Sequence, residues 1–179
     1  IYCVELETKL ESLIGDIYLL RTFQDHFYIL SLDGSSISIF DKKGKYITRI
    51  NDQGRGPKEY IRITYFSIDP ENKNIIVTDG FSKKIFIYDL NGNQKSVITT
   101  DFIPNYVTRF NKNEFINFES SNKTHQENPI IKENDLHFFN FSGKIERGKI
   151  TNQTPLFINY ATPNSISIQK NGHILYGPL

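Results

Sequence analysis

The sequence predicts an all-β protein made of four-stranded antiparallel units of the β-propeller blade type. Three observations carry this. The segments Ile37-Ser-Ile-Phe-Asp-Lys-Lys-Gly44 and Ile85-Phe-Ile-Tyr-Asp-Leu-Asn-Gly92 share the pattern apolar-x-apolar-aromatic-Asp-x-x-Gly. Their glycines stand 48 residues apart, and a weaker copy ends at Gly143, 51 residues further on. A fixed period of roughly 40–50 residues is the mark of blade-type repeats. Within each repeat, Ile, Val, Phe and Tyr alternate with polar residues in short runs, which is the period of a half-buried strand. Between the runs lie clusters of Asn, Asp, Gly, Ser and Lys, the residues of tight turns.

Taken in order, Glu5 to Leu13 offers at most a turn or two of helix. The first repeat then predicts strands near 15–20, 26–31, 36–41 and 45–50, and the second near 65–69, 74–79, 84–89 and 95–100. The third predicts strands near 106–110, 114–119, 136–141 and 145–150, with an insertion at Ser120 to Asp135. Asn91-Gly92 is expected to supply positive φ to the hairpin that joins the last two strands of repeat two. A fourth repeat begins at Ser165 to Gln169, turns at Asn171-Gly172 and runs out with His173 to Tyr176. The expectation is one propeller domain over 1–179, with blades near 15–50, 65–100 and 106–150 and a partial blade from 164. At 48 residues each, 179 residues hold fewer than four blades. The chain is therefore expected to be the first part of a longer propeller, with self-association through its open edges.

Composition narrows the function classes. Lys+Arg 21 against Asp+Glu 20 gives a net charge of +1, with no global electrostatic reason to expect nucleic acid as a partner. Hydrophobic residues make up 38% of the chain, which argues against a disordered chain. No run approaches the ~18 apolar residues of a membrane span. The single cysteine excludes an internal disulfide framework and a multi-cysteine zinc site. Cys3 follows Tyr2, where a bacterial lipidation site has a small residue, so a half-buried strand cysteine is expected there. Without any Met, Ile1 is expected to follow processing or an excerpt boundary.

Gly54-Arg-Gly-Pro-Lys-Glu-Tyr60, followed by Phe66-Ser-Ile-Asp69, Asn74 to Asp79, Lys84 to Asp89 and Gly92, resembles the NHL-type propeller repeat. It is still more similar to the six-bladed β-propeller proteins of Bacteroidetes, whose hallmark reads G-x-G-P-G-E-[YF]. Lys58 departs from the hallmark glycine, Ser31 from the Asp79 position and Asn140 from the repeated Asp. The resemblance implies a part of a six-bladed ring, and a periplasmic, cell-envelope or extracellular location.

Candidate chemistry is sparse. The G-x-G of residues 54–56 opens no helix and has no following Lys-Ser/Thr, so it reads as a stiffened crossover and not a phosphate loop. Asp41, Asp79 and Asp89 recur at strand ends, where a short carboxylate accepts turn N–H groups. The four histidines, His26, His125, His137 and His173, form no metal-binding spacing, and no nucleophile elbow occurs. No catalytic residue, metal or cofactor is therefore expected. In an antiparallel blade, the connection from strand two to strand three shares a face with the crossover from strand four to the next strand one. The long crossover Asn51 to Thr64 and the insertion at Ser120 to Asp135 are thus expected on one face. Their candidate binding residues are Arg55, Lys58, Glu59, Arg62, His125 and Glu127. The expected function is non-enzymatic binding of a polar protein, peptide or glycan. The alternative is an NHL-like lyase or lactonase with an axial metal or acid/base site, for which the inner strands offer Asp16, Asp69, Arg109 and Gln169.

Overall fold

The computed structural model describes residues 4–119, 130, 135–149, 167–168 and 174–175. They form an all-β structure with three four-stranded antiparallel sheets. Sheet one joins β1 (Ile17–Phe23), β2 (His26–Ser31), β3 (Ile37–Asp41) and β4 (Tyr46–Ile50). Sheet two joins β5 (Tyr65–Asp69), β6 (Asn74–Asp79), β7 (Lys84–Asp89) and β8 (Gln94–Thr99). Sheet three joins β9 (Tyr106–Arg109), β10 (Glu114–Phe118), β11 (Leu136–Asn140) and β12 (Ile145–Lys149). In each, the strands lie side by side in chain order, and the described sheets do not close into a barrel. In the fourth repeat, β13 (Ser167–Ile168) pairs with β14 (Ile174–Leu175) in antiparallel register. The early segment makes one 3₁₀ turn at Leu10–Ser12. Cys3 and most of the insertion at Ser120 to Asp135 lie outside the described residues.

The core is layered, and the two-residue strand period explains how. All six residues of β6 are buried. Ile75 and Val77 join the cluster formed with Leu30, Ile37 and Ile39 of sheet one. Their neighbour Ile76 points the other way, into the cluster with Val107, Phe115 and Phe139 of sheet three. Sheet two is thus packed on both faces, which is why its central strands read as nearly continuous apolar runs. Ile116, Phe118, Leu136 and Phe138 form a further cluster on sheet three. Each such side chain contributes about 1.5–3 kcal/mol by leaving water. Among the first strands, β5 packs against both β1 and β9.

The repeated Asp-x-x-Gly turns share one construction. Asp89 Oδ1 accepts from the N–H groups of Asn91 and Asn93, both at 2.9 Å. Asp41 Oδ1 does the same for Lys43 and Lys45, and Asn140 Oδ1 accepts from the Ser142 N–H. Gly44, Gly92 and Gly143 have φ of +81°, +83° and +74°. Asn91 does not share the positive φ expected of it. The hairpin is a three-residue loop whose glycine alone is left-handed, with a register shift at Ile87/Tyr88. The two-residue turn with both centres left-handed lies instead between β1 and β2, at Gln24 (φ +46°) and Asp25 (φ +62°).

Gly44 and Gly143 receive the segments that precede sheets one and three. The Glu7 N–H donates to Gly44 O at 2.8 Å, and the Asp101 N–H donates to Gly143 O at 3.3 Å. A Cβ at Gly44 would overlap the Glu5 carbonyl oxygen, and one at Gly143 would overlap that of Thr99. The segment around Glu5 to Glu7 therefore lies on sheet one as the exit from β8 lies on sheet three.

Candidate functional site

The crossover from β4 to β5 is built by its own side chains. Gln53 and Tyr60 form an isolated parallel bridge, and the Gly54 N–H donates to Tyr60 O at 2.9 Å. Glu59 Oε2 accepts from the Gly56 N–H at 2.7 Å, and a Cβ at Gly54 would overlap that carboxylate. Tyr60 is fully buried, edge-on to Phe86, and its hydroxyl donates to Ser35 O at 2.9 Å. Burial pushes its phenol well above the ordinary tyrosine range. The loop rests on sheet two: Lys84 Nζ donates to Gly56 O and Pro57 O, and Gln94 Nε2 donates to Lys58 O. Glycine, proline, glutamate and tyrosine here are the parts of a closed loop.

Arg55, Lys58, Glu59 and Arg62 are all exposed. Arg55, Lys58 and Arg62 make no ion pair with a carboxylate among the described residues. Arg62 reaches a turn of sheet one. Its Nη2 donates to Leu32 O at 3.3 Å in the β2–β3 turn, and the next residue's N–H donates to Gly34 O. The end of the crossover and this two-to-three turn therefore meet. Arg55 and Lys58 sit on the loop over β7 and β8, and no hydrogen bond joins them to Arg62. His125 and Glu127 lie outside the described residues.

Arg62 lines two clefts. The larger, about 580 Å³, is polar, with Asp16, Asp33, Ser31, Ser38 and Arg49 on its walls. Asp33 Oδ1 accepts from the Ser31 hydroxyl at 2.6 Å and the Ser35 N–H at 2.9 Å. The Ser31 bond above all, with the Ser35 bonds and nearby Arg62, holds the Asp33 carboxyl below the usual aspartate range. Ser31 replaces the Asp79 of repeat two, and the carboxylate has moved two residues along the turn. Asp79 itself accepts from the N–H groups of Ile61, Phe81 and Ser82. The smaller cleft, about 340 Å³, is aromatic: Tyr18, Tyr65, Phe81 and Tyr106 line it with Arg62 and Asn105. Tyr18, Tyr65 and Tyr106 come from the first strand of each sheet. Tyrosine in a strand reads as packing, so the sequence does not mark these residues as a site; their recurrence near the start of each first strand is the signal they leave.

The first strands also hold a buried pair. Arg109 Nε donates to Asp69 Oδ2 at 3.1 Å, with side chains 9% and 1% exposed. The Arg109 guanidinium lies 4.1 Å from the Phe115 ring centroid, and Asp69 also caps the β5–β6 turn at Asn72. Both groups are committed to structure. Asn105 Nδ2 donates to both carboxylate oxygens of Glu119. Among the described residues no group of three His, Cys, Asp or Glu could hold a metal ion, and no helix is long and apolar enough to cross a membrane.

Residues 1–179 match the family described as Domain of unknown function (DUF4934), and the chain belongs to that family. Among solved structures it is similar to a Bacteroides fragilis protein inferred to be exported (BF0058), with a TM-score of 0.70 at 18% identity. That match covers 84% of this chain and 42% of the other, so the chain spans less than half of that protein's length. A second likeness, to Kuenenia stuttgartiensis hydrazine synthase, has a TM-score of 0.47 at 16% identity over 70% of this chain and 34% of the other, too slight to bear on the fold. Among curated proteins nothing matches.

These findings overturn the expected membership of the NHL-like, six-bladed Bacteroidetes family. The family matched over the whole chain is a different one, and the described residues show three four-stranded sheets. The reason lies in the motif. Gly-x-Gly-Pro-x-Glu-Tyr closes a crossover by one carboxylate cap and one buried phenol, a local solution that marks a loop geometry and not a lineage.

Proposed function

We propose that this protein is a non-enzymatic binding scaffold that holds a polar protein, peptide or glycan on the face where Arg62 stands. In this reading the three sheets are successive blades of a propeller arc, and the rigid layers between them position the connecting loops. The observation that carries it is Arg62: an exposed guanidinium between two clefts, with no described carboxylate as ion-pair partner. Arg55 and Lys58 extend the positive surface along the crossover. The likeness to an inferred exported protein supports a location beyond the inner membrane.

The test uses wild type and the triple variant Arg55→Glu/Lys58→Glu/Arg62→Glu as baits on the envelope fraction of the source organism. Loss of a partner captured by the wild type is expected, with melting points within a few degrees because the changes are at the surface. An unchanged set of partners rejects the reading.

A further inference from the structure

Resting on the binding reading above, the geometry points to an acidic saccharide as the ligand of the aromatic cleft, with sugar rings on Tyr18 and Phe81 and a sugar carboxylate on Arg62. The cleft, about 340 Å³, falls within the ~300–1,000 Å³ of small-molecule sites and has their composition, aromatic walls with a few polar groups.

Three features select the ligand. Phe81 is 63% exposed and Tyr18 41%, so two rings, one in the β6–β7 turn and one on β1, leave aromatic surface open to solvent. Aromatic faces carry negative charge and suit the weakly positive C–H face of a pyranose ring. The ring behind them is fixed: Tyr65 and Tyr106 meet edge-on at 5.1 Å between centroids, and the Tyr65 hydroxyl accepts from Arg21 at 3.1 Å. The second feature is charge. Arg62 is the one Arg, Lys, Asp or Glu lining this cleft, and its planar fork matches a carboxylate. The third is the amide of Asn105. It lines the cleft while its Nδ2 is held by both Glu119 oxygens, and an amide oxygen is the kind of acceptor a sugar hydroxyl needs. An acidic peptide would use Arg62 but has no need of the two exposed rings.

Calorimetric titration of the full chain with trigalacturonate, its methyl ester and triglutamate tests this. Saturable binding of trigalacturonate is expected. Arg62→Gln should weaken trigalacturonate by about tenfold or more and leave the ester within about twofold, as a single charge-assisted contact is lost. Phe81→Ala and Tyr18→Ala should each weaken both sugars by roughly tenfold, and thermal melts of all three variants should match wild type. The proposal is overturned if neither sugar binds, if both ring variants bind like wild type, or if triglutamate binds as tightly and ignores the ring changes. Absence of sugar binding while the charge-reversal variant still loses its envelope partner would sink the saccharide and leave the binding face standing.

Discussion

Tyr28 carries a hydroxyl into the layer between sheets one and two, where the residue is fully buried and the oxygen has no hydrogen-bond partner among the described residues. An unsatisfied buried hydroxyl is a cost, so Tyr28→Phe should leave stability unchanged or raise it by up to ~1 kcal/mol in urea unfolding. Asp69 is the opposite case. Asp69→Ala would strand the Arg109 charge and uncap Asn72, and should cost about 3–5 kcal/mol, while Asp69→Leu/Arg109→Met should recover most of that loss. The turn carboxylates set the response to acid. Backbone N–H bonding, from Lys45 first, lowers the Asp41 pKa; at Asp89 partial burial pushes upward but the Asn93 and Asn91 bonds outweigh it. A folded-state pKa below the unfolded value means the unfolded chain binds more protons, so this stability is present above the unfolded pKa and lost as pH falls through the folded one. The melting midpoint should therefore fall as pH is lowered from about 5 through the aspartate range, and Asp41→Asn/Asp89→Asn should flatten that slope.

At the scale of elements, the glycines of the three Asp/Asn-x-x-Gly turns separate two requirements. All have positive φ, so alanine at any of them meets left-handed strain of about 1–2 kcal/mol. At Gly92 the nearest atom to a new Cβ is the Ile50 Cγ1, 3.3 Å away and able to shift. At Gly44 and Gly143 it is a backbone carbonyl of the segment laid across the turn, which cannot move without breaking that docking. Gly44→Ala and Gly143→Ala should each destabilise more than Gly92→Ala in equilibrium unfolding. Equal costs at all three would mean that φ alone matters there.

For the molecule as a whole, the first strands tell which side is covered. β5 lies between β1 and β9, and its Tyr65 and Phe66 are buried. β1 has such a neighbour on one side among the described residues, and Ile17, Tyr18 and Leu20 are all 41–53% exposed. Exposed apolar strands beside an edge are a route to association. The 179-residue chain should therefore sediment above monomer mass at tens of micromolar, and Ile17→Lys/Leu20→Lys should return it toward monomer without lowering its melting point. A wild-type monomer at all concentrations would show this surface to be harmless.

Strand positions were legible in the sequence because short apolar runs bounded by turn residues are a local signal. Every strand of sheet two falls where its apolar run lies, with only the last displaced by one residue. The roles of Asp41 and Asp89 were legible for the same reason, since the N–H groups they bind are two and four residues away. The tertiary structure alone decided that Glu59 closes its loop, that Asp69 meets Arg109 forty residues away, and that Arg62 reaches the turn at Leu32. It also gathered Tyr18, Tyr65, Phe81 and Tyr106 around one cleft. Those meetings depend on how whole sheets stack, and stacking is set by the summed burial of two layers, which no single segment encodes.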